Sequence, residues 1–165
     1  MRLLRFPVLI LALLTPGLRA LAAEPVLKVI SPQKTLTFST EDIAALPRTE
    51  LKLPAQGDQD ERSFSGVALR ELLLRAGAPL GDKPRGAELM TGVIVRCKDN
   101  YAVFFALAEF DPNFNNRTIL LADHEDGEIL PPSSAPFRVV IPGDKRGARS
   151  CRQVIAIEIV SLAKP

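Results

Sequence analysis

Tryptophan is missing from this sequence, and tyrosine and histidine occur once each, as Tyr101 and His124. So few rings leave little basis for an aromatic platform that stacks single-stranded nucleic acid. One histidine rules out a His-rich metal site, and any Ser-His or Cys-His pair must run through His124. Neither a Walker-type phosphate loop nor a G-x-G-x-x-G dinucleotide fingerprint occurs. After the N-terminal stretch, no apolar run reaches the ~20 residues that a membrane-spanning helix needs. Cysteine is scarce too, with Cys97 and Cys151 the only two.

What is present begins with an address. Arg2 and Arg5 precede an apolar run from Phe6 to Leu14, and Ala20-Leu21-Ala22 gives a small-x-small cleavage pattern. Residues 1–23 are therefore expected to be a secretory signal peptide, and residues 24–165 one domain. No Arg-Arg pair stands in the signal, so the general secretory route is expected rather than the twin-arginine route. The expected location is periplasmic or secreted, with no membrane span after cleavage. Removing Arg2, Arg5 and Arg19 takes 21 basic residues to 18, against 19 acidic ones. The formal charge of +2 thus becomes −1, and a generally basic, nucleic-acid-binding surface is not expected.

Short β-branched runs dominate the remainder. Strands are expected over 26–30, 36–38, 49–53, 89–97, 101–107, 118–122, 128–130, 137–141 and 154–160. Ser39 followed by Glu41 and Asp42 starts a brief helix that Pro47 ends. Leu69, Leu72 and Leu73 share one face of a second helix, closed by Gly77. Asp126-Gly127 is a tight-turn pair between two strands. The fold class is α+β: a β-rich single domain with a mixed sheet and few short helices.

Charge concentrates in one place. Between Pro142 and Val154 lie Lys145, Arg146, Arg149 and Arg152, with Gly143, Gly147 and Ser150 among them. Arginine forks suit phosphate or carboxylate, and glycines let backbone N–H groups approach such a ligand. The same pattern also describes a solvated turn that protects a sheet edge. Asp123-His124-Glu125-Asp126, and Asp58, Asp60 and Glu61, read as solvated acidic turns, because consecutive hairpin side chains diverge and do not converge on a metal. In an oxidising compartment an even pair of cysteines suggests a Cys97–Cys151 disulfide, and two buried free thiols are the alternative.

Several stretches then line up in order. The run from Phe64 to Leu73 resembles the W-x-G-V-x-L-x-x-L-L segment of sulfite-oxidase-type molybdopterin-binding domains. Asp99-Asn100-Tyr101 falls where that family has D-G-Y, and residues 119–130 resemble its L-L-A-x(4)-G-x-x-L hairpin. Pro136 to Gly143 and Gly147 to Ser150 are similar to its P-x-R-x-V-x-P-G and G-x-K/R-S stretches, and residues 157–159 match its closing strand. The resemblance implies that family's α+β fold. It also implies a cofactor-phosphate cradle at Lys145, Arg146, Gly147, Arg149, Ser150 and Arg152, with Tyr101 and Asp123 at a pocket.

The departures matter equally. The family's metal-ligating cysteine precedes the W-x-G-V segment, yet residues 51–63 hold none, and Asp123 stands where catalytic relatives place a substrate-binding tyrosine. A general secretory signal also delivers an unfolded chain, whereas molybdenum enzymes are normally exported already folded around their cofactor by the twin-arginine route. The expectation is therefore a non-catalytic binding module with no metal site and no resident cofactor, molybdopterin being the one the resemblance allows. Its partner would be a small anionic ligand, or a periplasmic or membrane protein. The alternative is a molybdopterin-dependent oxidoreductase, or a subunit of one, acting on small oxyanions or sulfoxides. A third class is a purely structural domain whose sheet edge docks on a membrane-bound partner.

Overall fold

A computed structural model describes residues 26–54, 60–81 and 84–163 of the chain. The expected signal peptide and Asp58 lie outside the described residues, as do parts of the loops at 55–59 and 82–83. Among the described residues no helix is long and apolar enough to cross a membrane.

Ten strands form two five-stranded sheets among the described residues. The first sheet has the order β2 (Thr35–Phe38), β1 (Leu27–Ile30), β10 (Val154–Ser161), β5 (Thr91–Cys97), β6 (Ala102–Ala106). Its first and last strands in sequence, β1 and β10, run parallel, and its other pairings are antiparallel. The second sheet joins β3 (Arg48–Leu53), β4 (Arg62–Ala68), β7 (Leu120–Glu125) and β8 (Glu128–Ile129), with β9 (Arg138–Val140) also paired to β7. A mixed sheet was expected. The structure divides the strands between one mixed sheet and one antiparallel sheet.

A single apolar cluster joins the two sheets. Val29, Val93, Val95, Phe105 and Ile157 of the first sheet meet Val67, Leu121 and Val139 of the second. Helix α2 (Leu69–Arg75) adds Leu69, Leu72 and Leu73, which its 3.6-residue period places on one side. All three are fully buried, worth roughly 1.5–3 kcal/mol each against exposure. Helix α1 (Thr40–Ala44) starts in a capping box: the Ser39 hydroxyl accepts from the Asp42 N–H, and the Asp42 carboxylate accepts from the Ser39 N–H. A second, small cluster of Phe64, Leu120, Ala122 and Val140 is covered by Leu51 and Leu53.

Three boundaries differ from the sequence reading. Residues 62–68 form β4, where no strand was expected. Residues 86–90 form a 3-10 turn before β5. Strand β7 runs on to Glu125, so Asp123, His124 and Glu125 are strand residues, and the turn is confined to Asp126-Gly127, both at positive φ. The acidic run is therefore not a solvated turn; pairing with β4 extends the strand and gives its side chains partners.

Candidate functional site

Strand β9 and the loop after it place the basic residues. Pro142 cannot donate to a ladder, and Gly143 at φ +83° turns the chain out of the sheet. A 3-10 turn at Gly147–Arg149 brings it back. The returning segment is stitched to β9 by an antiparallel bridge between Arg138 and Arg152, with Val139 N–H donating to the Cys151 carbonyl at 2.8 Å. Gln153 N–H donates to the Ser134 carbonyl at 3.0 Å. The basic loop thus has a fixed base and an exposed crest.

At that base lies Arg138, which is only 9% exposed although it carries a full charge. Its guanidinium stacks 5.0 Å from the Phe64 ring centroid, with the Arg62 guanidinium 5.7 Å from the same ring. The closest carboxylate oxygen, Glu125 Oε2, is 3.6 Å from Nη1, beyond hydrogen-bonding distance. Glu125 instead accepts from Arg62 at 2.7 Å. Glu125 thus gives Arg138 an ion pair without a close hydrogen bond, and the Arg138 Nε is buried with no partner among the described residues. Burial first, and then the Arg152 and Arg62 charges, push its pKa below the usual guanidinium value, with Glu125 opposing them. A buried donor with no acceptor, as Nε is here, costs about 1–3 kcal/mol, more when charged, unless something else supplies one.

Three hollows share Arg138. The largest, about 490 Å³, is bounded by Tyr101, Gly147, Ser150, Cys151 and Arg152. Another, about 190 Å³, is bounded by Arg62, Lys145, Gly147 and Ser150. The third, about 440 Å³, is flanked by Arg62, Glu125, Ser134 and Arg152. Lys145, Gly147, Ser150 and Arg152, expected at the site from sequence, therefore do line one polar groove. Tyr101 joins them, fixed by its hydroxyl donating to the Ala148 carbonyl at 2.8 Å. Arg146 is exposed on the crest and lines none of the three hollows.

Two expected site residues are placed elsewhere. Arg149 donates through Nε and Nη2 to Asp144, both at 2.9 Å, and through Nη1 to Glu109 at 2.9 Å. Those carboxylates hold its pKa above the ordinary value and occupy the fork that a ligand would use. Asp123 is gripped by both Nη atoms of Arg48 and by the His124 ring. Burial pushes its pKa up, but the Arg48 and His124 contacts outweigh that and leave it lowered. It borders none of the groove's hollows. Conversely, Arg138 and Arg62 were not among the expected site residues. The signal for Arg138 was a lone charge inside the apolar run Phe137–Ile141.

The expected Cys97–Cys151 bridge is not formed in this structure. Both residues are free, buried thiols in the same apolar cluster. Burial raises both pKa values, which disfavours the thiolate that a metal would require. Among the described residues no group of three or more His, Cys, Asp or Glu side chains converges as a metal site would.

Comparison with curated proteins finds no match. Among solved structures, the chain is similar to the sulfane dehydrogenase SoxCD from Paracoccus pantotrophus, with a TM-score of 0.61 and 21% sequence identity. The match covers 84% of this chain and 39% of that one, so the chain spans about two fifths of that relative's length. The family model for the oxidoreductase molybdopterin-binding domain matches residues 26–165. With the two-sheet fold and the cationic groove beside it, that match shows that this chain belongs to the oxidoreductase molybdopterin-binding domain family.

Proposed function

We propose that this domain is a non-catalytic anion-binding module, acting outside the cytoplasm, whose groove takes a phosphate-bearing small molecule. The observation that carries the reading is Arg138: nine-tenths buried, charged, with its Nε unpartnered among the described residues and its carboxylate partner Glu125 no closer than 3.6 Å. A phosphate in the groove would supply the acceptor, with Arg152, Lys145 and Ser150 as further donors from its walls. The phosphate end of a molybdopterin fits the same donors. The metal end does not fit, because residues 51–63 hold no cysteine and both existing thiols are buried with raised pKa values. Asp123 stands where the family resemblance places a neutral hydroxyl, but Arg48 and His124 hold its carboxylate outside the groove's hollows, so it offers no hydroxyl donor to a sulfite-like oxyanion.

The second reading is a molybdopterin-dependent oxidoreductase or subunit, acting on small oxyanions or sulfoxides. It is favoured by the family match and by the groove's fit to the phosphate end of the cofactor. The first reading is tested with inorganic pyrophosphate as the probe, by isothermal titration. Arg138→Gln should weaken binding at least about tenfold, the equivalent of one lost charge-assisted bond. Arg152→Ala should weaken it less, since that side chain is exposed. Arg149→Ala should weaken it less than Arg138→Gln does, because its fork faces Asp144 and Glu109 and it acts only by anchoring the loop. Equal affinity in wild type and Arg138→Gln would end this reading.

A further inference from the structure

Cys97 is the last residue of β5, in the first sheet, and Cys151 lies directly before Arg152, whose backbone bridges to β9 in the second sheet. The two residues ride on fixed rails. Cys97 stands across from Val154, Lys98 N–H donates to the Gln153 carbonyl at 3.0 Å, and the Cys151 carbonyl accepts from Val139 N–H. Both side chains are nearly inaccessible, at 3% and 4% exposure, and both belong to the apolar cluster between the sheets. On its other side Cys151 lines the largest hollow of the groove, between Ser150 and Arg152.

We propose that Cys97 and Cys151 form a reversible disulfide that ties the wall of the anion groove to strand β5. The coupling to the groove rests on the anion-binding reading above; the bridge itself does not. Each thiol gives up one proton and one electron, and the two sulfurs bond. The oxidant is a small-molecule or protein disulfide, whose S–S bond breaks and which leaves as two thiols. Burial keeps both groups protonated at rest, so exchange passes through a local opening and single-thiol side reactions are suppressed. Once closed, the bond would fix the segment that presents Ser150 and Arg152, leaving less ordering to be done when an anion binds.

The test uses the chain from residue 24 onward, equilibrated with oxidised or reduced glutathione. Each sample is then alkylated in denaturant and its intact mass read. The oxidised sample should show no alkylated cysteine, no glutathione adduct and no dimer. Its melting temperature should rise by on the order of 10 °C, since the bridge closes a loop of 54 residues. Pyrophosphate should bind it about threefold more tightly than the reduced sample. Two alkylated thiols or a glutathione adduct after oxidation would overturn the bridge. A bridge with unchanged pyrophosphate affinity would overturn the coupling. If pyrophosphate bound neither state, the anion-groove reading would fall, while thiol count and melting shift still decided the bridge. Cys97→Ser with Cys151→Ser should abolish both shifts; should that variant not fold, the two wild-type states carry the test alone.

Discussion

Arg149 and Arg138 show how position decides what one residue type does. Arg149 and Arg117 alternate with Asp144 and Glu109 in a ring of four charges: Arg117 donates to Asp144 at 3.1 Å and to Glu109 at 2.8 Å, and Arg149 completes the circuit. The ring anchors the basic loop to the turn after β6. The Arg149 hydrogen bonds lead the causes that hold Asp144's pKa below its ordinary 3.8. A lowered folded pKa contributes stability that is present above the unfolded value and lost as pH falls through the folded one. Asp144→Asn should therefore cost about 1–2 kcal/mol at neutral pH, leaving two arginines short of an acceptor. In urea unfolding across an acid series, its gap from wild type should begin to close below about pH 3.8. A gap constant into strong acid would show that the Asp144 carboxylate does not supply this stability.

Among the elements, β4 carries a steric demand set by backbone. A Cβ added at Gly66 would stand 2.1 Å from the Leu121 carbonyl oxygen and 2.6 Å from the Ala122 Cα. Both atoms are backbone of the neighbouring strand β7, so nothing flexible can move aside. Gly66→Ala should cost at least about 3 kcal/mol, because the β4–β7 ladder must separate at its bulge. Gly143→Ala meets no atom within 4 Å but holds φ at +83°, and should cost about 1 kcal/mol. Denaturant midpoints of the two variants give the comparison, and equal losses would refute the close-approach argument. The same glycine explains why β4 was illegible: an interior glycine lowers strand propensity, and only the neighbouring strand reveals the reason for it.

At the scale of the molecule, the groove forms where β9, its returning loop and the end of β4 meet around Arg138. The missing family cysteine and the buried pair of thiols bear on what the whole protein carries. Protein isolated from its native compartment should contain no stoichiometric molybdenum by elemental analysis. Molybdenum at one atom per chain would overturn the non-catalytic reading and favour the oxidoreductase alternative.

Sequence by itself determined the local pieces: the apolar, β-branched runs of most strands, the helix-start acids and hydroxyl at Ser39, the leucine face of α2, and the Asp126-Gly127 turn. Those follow from neighbours a few residues apart, where periodicity and turn chemistry act. It also located the basic loop and the two cysteines. The tertiary structure alone decided which cations face the groove. Arg138 is turned inward over Phe64, Arg149 is claimed by Asp144 and Glu109, and Asp123 is claimed by Arg48 across 75 residues. A charge becomes a site or a strut according to which opposite charge reaches it first, and that depends on contacts between residues far apart in the chain.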